Sequence, residues 1–244
     1  MDYRLSHLNK GSDYDENLDQ WNFDAFMSQR ESKILQAILP KFFDGKIPRY
    51  LDFACGTGRI TKVVEAMAKE SYGVDVSQRM LEQARMKCKR TTFIQTDVTQ
   101  EPLSIKPVNL VTAFRFFGNA EDELRLSALK QIHNMLDGNG YLVLNNHRNP
   151  WSIGNVAHRI QGHKSGQDLH YFKLKSMLMK SGFKILRAVG IGVWIFRDKL
   201  IQSEILNSRI GNTFEFISRI PLICPLCPDV VIIAQKIKRP TNNV

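Results

Sequence analysis

Leu51-Asp52-Phe53-Ala54-Cys55-Gly56-Thr57-Gly58-Arg59 is the stretch on which the reading of this chain turns. An apolar run from Tyr50 to Ala54 stops at a turn carrying two glycines, and beyond it Ile60, Val63, Val64 and Met67 recur at helical spacing. The pattern predicts a strand, a tight loop and a helix, with glycine where a nucleotide-like ligand must approach the main chain. Asp75 follows Gly56 by 19 positions and ends a second apolar strand, Tyr72-Gly73-Val74. A carboxylate at that spacing suits the two ribose hydroxyls of an adenosine held over the first turn.

Outward from this stretch the chain alternates strand and helix. Strands are predicted over 49–54, 71–75, 91–96, 108–114 and 140–146, and helices over 59–69, 78–88 and 121–136, with Asp137-Gly138-Asn139-Gly140 as a turn. That order implies an α/β, doubly wound, mostly parallel sheet with helices on both faces. Ligands of such sheets sit beyond the carboxyl ends of the strands, where strand order reverses. The rule puts Ala54 to Gly58, Asp75, Asp97, Phe114 and His147 on one rim. After His147 the pattern loosens: residues 148–168 carry Gly154, Gly162 and Gly166, too many for a stable helix interior. A helix from Phe172 to Ser181 with Gly182 as its cap, a strand from Phe183 to Gly190 and a last strand from Asp229 to Lys238 complete the reading.

Asp52, Ala54, Gly56 and Gly58, with Asp75, and with Asp97 in Ile94-Gln95-Thr96-Asp97-Val98, together resemble the class I S-adenosylmethionine-dependent methyltransferases of small-molecule type. The resemblance covers roughly residues 49–146. It implies a seven-stranded, Rossmann-like sheet, S-adenosyl-L-methionine as methyl donor and S-adenosyl-L-homocysteine as product. It further implies that Asp52, Ala54, Cys55, Gly56, Thr57 and Gly58 cradle the amino-acid end of the donor. Asp75 would bind the ribose, with Val76 and Met80 beside it, and Asp97 and Val98 would flank the adenine. Phe114 would face the methyl group, and Arg30 could reach the donor's carboxylate as in some relatives, the plainer reading being a surface charge. Ala54 departs from the pattern, since glycine is more usual there. A nicotinamide-dependent dehydrogenase has a similar loop, but its third glycine is absent here: Arg59, Ile60 and Thr61 follow Gly58.

The acceptor is read from Phe114-Arg115-Phe116-Phe117-Gly118-Asn119. Relatives that methylate nucleobase or glutamine amino groups show Asn/Asp-Pro-Pro-aromatic here, and cytosine C5 enzymes show Pro-Cys. Neither is present, which disfavours nucleic acid and favours a small or lipid-like acceptor. His147 is the leading candidate for a general base because imidazole titrates near neutral pH; the plainer reading is a rim histidine that bonds a loop. His170 and Tyr171 precede a helix that lines the acceptor pocket in relatives. No Cys/His/carboxylate ligand set is visible, so no metal is expected.

The chain has 244 residues, 43% hydrophobic and 24% charged, as expected of one globular domain with additions. Residues 1–48 are read as an N-terminal lid with an amphipathic helix from Trp21, residues 49–147 as the donor-binding core, and 148–244 as the acceptor-side part of the same domain. Residues 197–220 stand out as an inserted amphipathic segment, read first as a lid. With no signal peptide or membrane-length run visible, a cytoplasmic place is expected. Residues 1–147 balance 19 Lys/Arg against 19 Asp/Glu, whereas 148–244 hold 15 against 5, which accounts for the whole net charge of +10. Such a field favours an anionic acceptor or peripheral contact with an acidic membrane, or else is a solvated basic face. Alternatives kept open are an RNA or protein acceptor using this basic part, and a non-catalytic donor-binding scaffold. Cys224-Pro225-Leu226-Cys227 has redox or metal spacing, but its prolines favour a structural turn.

Overall fold

The computed structural model describes residues 22–160, 162, 168–193 and 208–237. In chain order the regular elements are α1 (Asn22–Ile38), β1 (Ile47–Phe53), α2 (Arg59–Val64), β2 (Ala68–Asp75), α3 (Gln78–Lys87), β3 (Thr91–Gln95), β4 (Val108–Ala113), α4 (Asp122–Met135), β5 (Leu136–Asn145), α5 (Ile153–Ile160), α6 (Tyr171–Lys180), β6 (Phe183–Ile191), α7 (Arg209–Ser218) and β7 (Asp229–Lys236). The strands form a seven-stranded sheet in the order β3-β2-β1-β4-β5-β7-β6. The first five are parallel, and β7 runs antiparallel between β5 and β6.

Side-chain alternation along each strand divides the core in two. Leu51 and Phe53 of β1, Val111 of β4 and Leu142 and Leu144 of β5 point to one face, where α4 and α6 cover them with Leu129, Ile132, Leu174 and Leu178. Tyr50, Leu110 and Val143 point to the other face, where α1 supplies Phe26, Met27, Leu35 and Ile38. Each fully buried Leu, Ile or Phe contributes about 1.5–3 kcal/mol, so both faces must be sealed for the central strands to hold. β1 pairs with β2 on one side and β4 on the other, which makes its carboxyl end the point where strand order reverses.

Three local expectations are corrected. The helix after the glycine turn is cut short: α2 ends at Val64, a 3-10 turn spans Glu65–Met67, and β2 starts at Ala68. No separate turn precedes β5, because Leu136 already pairs with Val108 and the register then shifts before Leu110 pairs with Tyr141. Gly140 lies within that irregularity, where a Cβ would stand 3.2 Å from both Asp137 O and Val108 O. A helix, α5, also forms where the glycines of 148–168 argued against one; Gly154 occupies only its second position. Of the inserted segment, α7 is described; its earlier part lies outside the described residues, as do residues 1–21 of the N-terminal cover.

Candidate functional site

The chain leaves β1 through alternating left-handed residues: Ala54 (φ 53°), Gly56 (φ 54°) and Gly58 (φ 77°). Such angles cost a residue with a Cβ about 1–2 kcal/mol, and Ala54 bears that cost. The turn is held by bonds to its neighbours. Cys55 N–H donates to Val74 O at 2.9 Å, extending the β1–β2 pairing past the strand end, and Gly58 N–H donates to Cys55 O at 3.0 Å. Gly56 N–H donates to Asp75 Oδ2 at 2.8 Å, while Asp75 Oδ1 accepts from Ser77 N–H at 2.9 Å. The two features read from sequence, glycine turn and distal acid, are therefore in direct contact.

Asp52 lies beneath the turn. Its carboxylate accepts from Thr61 Oγ1 at 2.6 Å and Thr112 Oγ1 at 2.7 Å, tying β1 to α2 and β4. Burial pushes its pKa up to about 6, and the two hydroxyl donors restrain that rise. Asp97 accepts from Thr99 N–H and Oγ1 at 3.0 and 2.5 Å, which shapes the chain after β3.

Above these groups opens a cavity. Its wall combines acids (Asp52, Asp75, Asp97) with apolar groups (Ile60, Val76, Met80, Val98, Phe114, Phe116) and two guanidinium groups, Arg59 and Arg115. Gly56 forms part of the wall, and a Cβ added there would stand 3.6 Å from Met80 Sδ and narrow the cradle. Apolar walls with a few fixed acids suit a flat heterocycle carrying a diol.

The methyltransferase-domain family matches residues 51–140, the stretch that contains the turn, Asp75, Asp97 and the β4 exit. Over this stretch the chain is similar to methyltransferases. Over 106 residues it is 28% identical to an uncharacterized methyltransferase of Oceanobacillus iheyensis, covering 43% of this chain and 50% of that protein. Over 87 residues it is 30% identical to an uncharacterized methyltransferase of a Geobacillus species, covering 35% and 41%. The chain thus spans about half the length, or less, of the curated relatives it matches. Among solved structures, the magnesium protoporphyrin IX methyltransferase of Synechocystis, with S-adenosylhomocysteine bound, superposes with a TM-score of 0.62 at 16% identity, covering 96% of this chain and 93% of that one. The N-methyltransferase NodS of Bradyrhizobium japonicum, in complex with the same product, gives 0.60 at 16% identity, covering 98% and 100%. These likenesses establish a Rossmann-like fold.

Of the residues singled out from sequence, Asp52, Ala54, Cys55, Gly56, Thr57, Asp75, Val76, Met80, Asp97, Val98 and Phe114 all line the cavity. Gly58 does not. A Cβ on it would meet Ala84 Cβ at 3.0 Å and Cys88 Sγ at 3.1 Å, so its role is to let the turn press against α3. Arg30 is also elsewhere: its Nη2 donates to Asn212 Oδ1 of α7 at 3.1 Å, and its guanidinium lies over Phe26. Arg59 occupies the wall instead, bonded to Glu31 Oε2 at 2.5 Å and Ser28 Oγ at 3.1 Å of α1.

His147, His170 and Tyr171 stand outside the lining of the cavity. His147 is buried, with Nδ1 3.1 Å from Asp229 Oδ2. His170 caps α6, its Nδ1 accepting from Lys173 N–H at 3.2 Å, and its ring stacks on Trp151 at 4.1 Å; burial, then the nearby Lys173 charge, lower its basicity. Tyr171 is buried against Phe172, and burial raises its phenol. Cys224 and Cys227 both turn their Sγ toward Ser218 O, at 3.9 and 3.7 Å, and burial pushes both thiols up, away from thiolate chemistry.

Sequence reasoning missed a buried polar cluster beside the methyl-facing end. Asn145 Nδ2 donates to Glu31 Oε1 at 2.7 Å and to Asp229 Oδ2 at 3.3 Å, and its Oδ1 accepts from Arg115 N–H at 2.6 Å. Burial, then the neighbouring Glu31 carboxylate, push the Asp229 carboxyl well up, and the Arg115 charge works against that. Glu31 sits mid-helix on the apolar face of α1, a misplaced acid that could have signalled the cluster.

Proposed function

We propose that the chain binds S-adenosyl-L-methionine in this cavity and transfers its methyl group to an oxygen or nitrogen of a small or lipid-like, anionic acceptor, releasing S-adenosyl-L-homocysteine. The observation that carries the reading is Asp75: it is bonded to the N–H of the residue at the floor of the turn and faces the one cradle where a side chain is missing. When bound, the donor supplies a methyl group on positively charged sulfur, open to attack from behind.

The residues divide that work. Asp75 takes the ribose hydroxyls, and its two backbone donors hold it in place beforehand. Asp97 and Val98 bracket the adenine edge, with Val76 and Met80 against the ring. Ala54 to Thr57 present main chain to the amino-acid end, and Arg59 offers a charge for its carboxylate. Phe114 and Phe116 keep water from the sulfur and can add about 0.5–2 kcal/mol of cation–π attraction. Positioning of two reactants is the larger effect and can lower a barrier by about 7–11 kcal/mol.

For an acceptor that must lose a proton, His147 is the candidate base, and it would act from outside the cavity wall; Asp229 holds its Nδ1 at 3.1 Å and so sets the orientation of the ring. Arg115, on the cavity wall past β4, supports an anionic acceptor. A cytoplasmic place of action belongs to the same proposal; among the described residues no helix is long and apolar enough to cross a membrane.

Calorimetry with the donor tests the reading directly. Wild type should bind, Asp75→Ala should weaken binding by about a hundredfold, the loss of two charge-assisted hydrogen bonds, and Arg30→Ala should leave it nearly unchanged. Equal binding by wild type and Asp75→Ala would overturn the ribose assignment. Mass spectrometry of a metabolite and lipid extract incubated with enzyme and donor then identifies the acceptor by its gain of one methyl group.

A further inference from the structure

Helix α5 is built inside out. The side it turns to the protein is polar: Asn155 is buried and its Nδ2 donates to Asn149 O at 2.7 Å, and Ser152 at the entrance is buried too. Ile153, Val156 and Ile160 occupy one face at helical spacing and stand in solvent, Ile160 being 83% exposed. A helix of a globular protein normally buries such a stripe, so an exposed one marks a contact surface. Trp151, 45% exposed, and Phe172 continue it, their rings 5.9 Å apart. Asn149 Nδ2 donates to Pro225 O at 2.7 Å and Cys227 O at 3.0 Å, which joins this turn to the segment where Leu222 stands 87% exposed.

Between Arg148 and Ile160 the charged residues are all basic, and Asp122, the exposed acid that reaches the Phe172 side of the face, is tied to Lys173 at 2.8 Å. Arg148 and Arg159, in the turn before α5 and on α5 itself, are exposed. Among the described residues after His147, Asp168 is the one exposed carboxylate, and it is bonded to Arg125 and Lys173. Glu215 and Asp229 are buried. A second copy docking through the same face would bring these arginines together, which opposes self-association. An apolar stripe with a tryptophan, flanked by arginine, matches the boundary of an anionic bilayer, where apolar groups enter the acyl edge and cations meet lipid phosphates.

We infer that α5, with Trp151, Phe172 and Leu222, docks the protein on anionic lipid membranes. The face follows β5 and precedes β7, at the same end of the sheet as the cavity, so docking turns the ligand rim toward the bilayer. The inference does not depend on the transferase reading: failure of donor binding leaves it standing, and its own failure leaves the cavity assignment intact.

The test is co-sedimentation of the full chain with vesicles of phosphatidylcholine alone or phosphatidylcholine mixed with phosphatidylglycerol, at low and high salt. The expected result is binding to the anionic vesicles, weakened by salt as the Debye length shortens. Ile160→Glu with Leu222→Glu should reduce that binding by about tenfold or more, without moving the thermal midpoint, since both side chains are already in water. Met86→Glu, on exposed α3, should have no effect. Three results would each overturn the inference: no binding to anionic vesicles, equal binding by the double variant, or a dimer in light scattering that Ile160→Glu dissociates.

Discussion

Asn145 Nδ2 donates to Glu31 Oε1 at 2.7 Å, joining the last residue of β5 to the middle of α1 across 114 positions, with both side chains fully buried. The same asparagine receives Arg115 N–H, and Arg115 holds a left-handed φ of 58°. One amide therefore fixes both the N-terminal helix and the loop that faces the transferred group. Asn145→Leu, close in volume, should leave a buried carboxylate and a buried N–H without this partner and cost about 3–5 kcal/mol. Chemical denaturation measures that cost. A loss below 1 kcal/mol would mean that the cluster relaxes around the change.

The turn's own acid sets a pH dependence. Asp52 titrates near 6 in the folded protein, against 3.8 ordinarily, because it is buried. The folded state thus keeps a proton that the unfolded chain releases, so its contribution is complete below about pH 4 and is lost as pH rises through 6. Asp52→Asn removes that titration. The stability of wild type relative to the variant should fall by about 1.4 kcal/mol per pH unit at most across this window and then level off. Thermal midpoints of both proteins between pH 4 and pH 7.5 provide the comparison; parallel curves would show that the acid stays ionised throughout. Asp229, also pushed up by burial, acts in the same direction in both proteins.

Gly58 and Gly45 separate backbone strain from packing. Both have positive φ, 77° and 82°, but a Cβ on Gly45 meets nothing within 4 Å, while one on Gly58 meets Ala84 and Cys88 at 3.0–3.2 Å. Gly45→Ala should cost about 1–2 kcal/mol. Gly58→Ala should cost about 1–3 kcal/mol more, the penalty of overpacking against α3. Equal losses in urea unfolding would contradict the packing role assigned to Gly58.

Arg125 is the buried anchor of the loop after β4. Its side chain is 2% exposed and donates to Phe117 O at 2.8 Å, Asp122 Oδ1 at 2.6 Å and Asp168 Oδ1 at 2.9 Å. Arg125→Met should destabilise the protein by about 2–4 kcal/mol, since Phe117 O loses its donor and Asp168 one partner. The hydrogen bond from Arg125 is also the main reason that Asp168 is held at about 2. Its carboxyl should therefore move toward the ordinary range in the variant, a shift that NMR titration reads independently of unfolding.

Much of the site was legible because its signals are short-range. A strand, a glycine turn, a helix and an acid one strand later lie within 25 residues, and local rules of period and backbone freedom fix their order. The rim rule placed seven of the cavity-lining residues, Ala54 to Thr57, Asp75, Asp97 and Phe114, and the family resemblance added Asp52, Val76, Met80 and Val98. They failed where the deciding partner is remote. Gly58 looked like a ligand contact, yet its demand comes from Ala84 and Cys88. Arg30 and Arg59 carry the same charge at plausible positions, and only the packing of α1 shows which of them reaches the cavity.

The sequence by itself determined the sheet, its rim and the pairing of Gly56 with Asp75, because hydrophobic period and glycine geometry act through neighbours in the chain. Only the tertiary structure decided that Glu31, Asn145, Asp229 and His147 share one buried cluster and that α5 faces outward. Those facts depend on which side chains, distant in sequence, must satisfy one another once water is excluded.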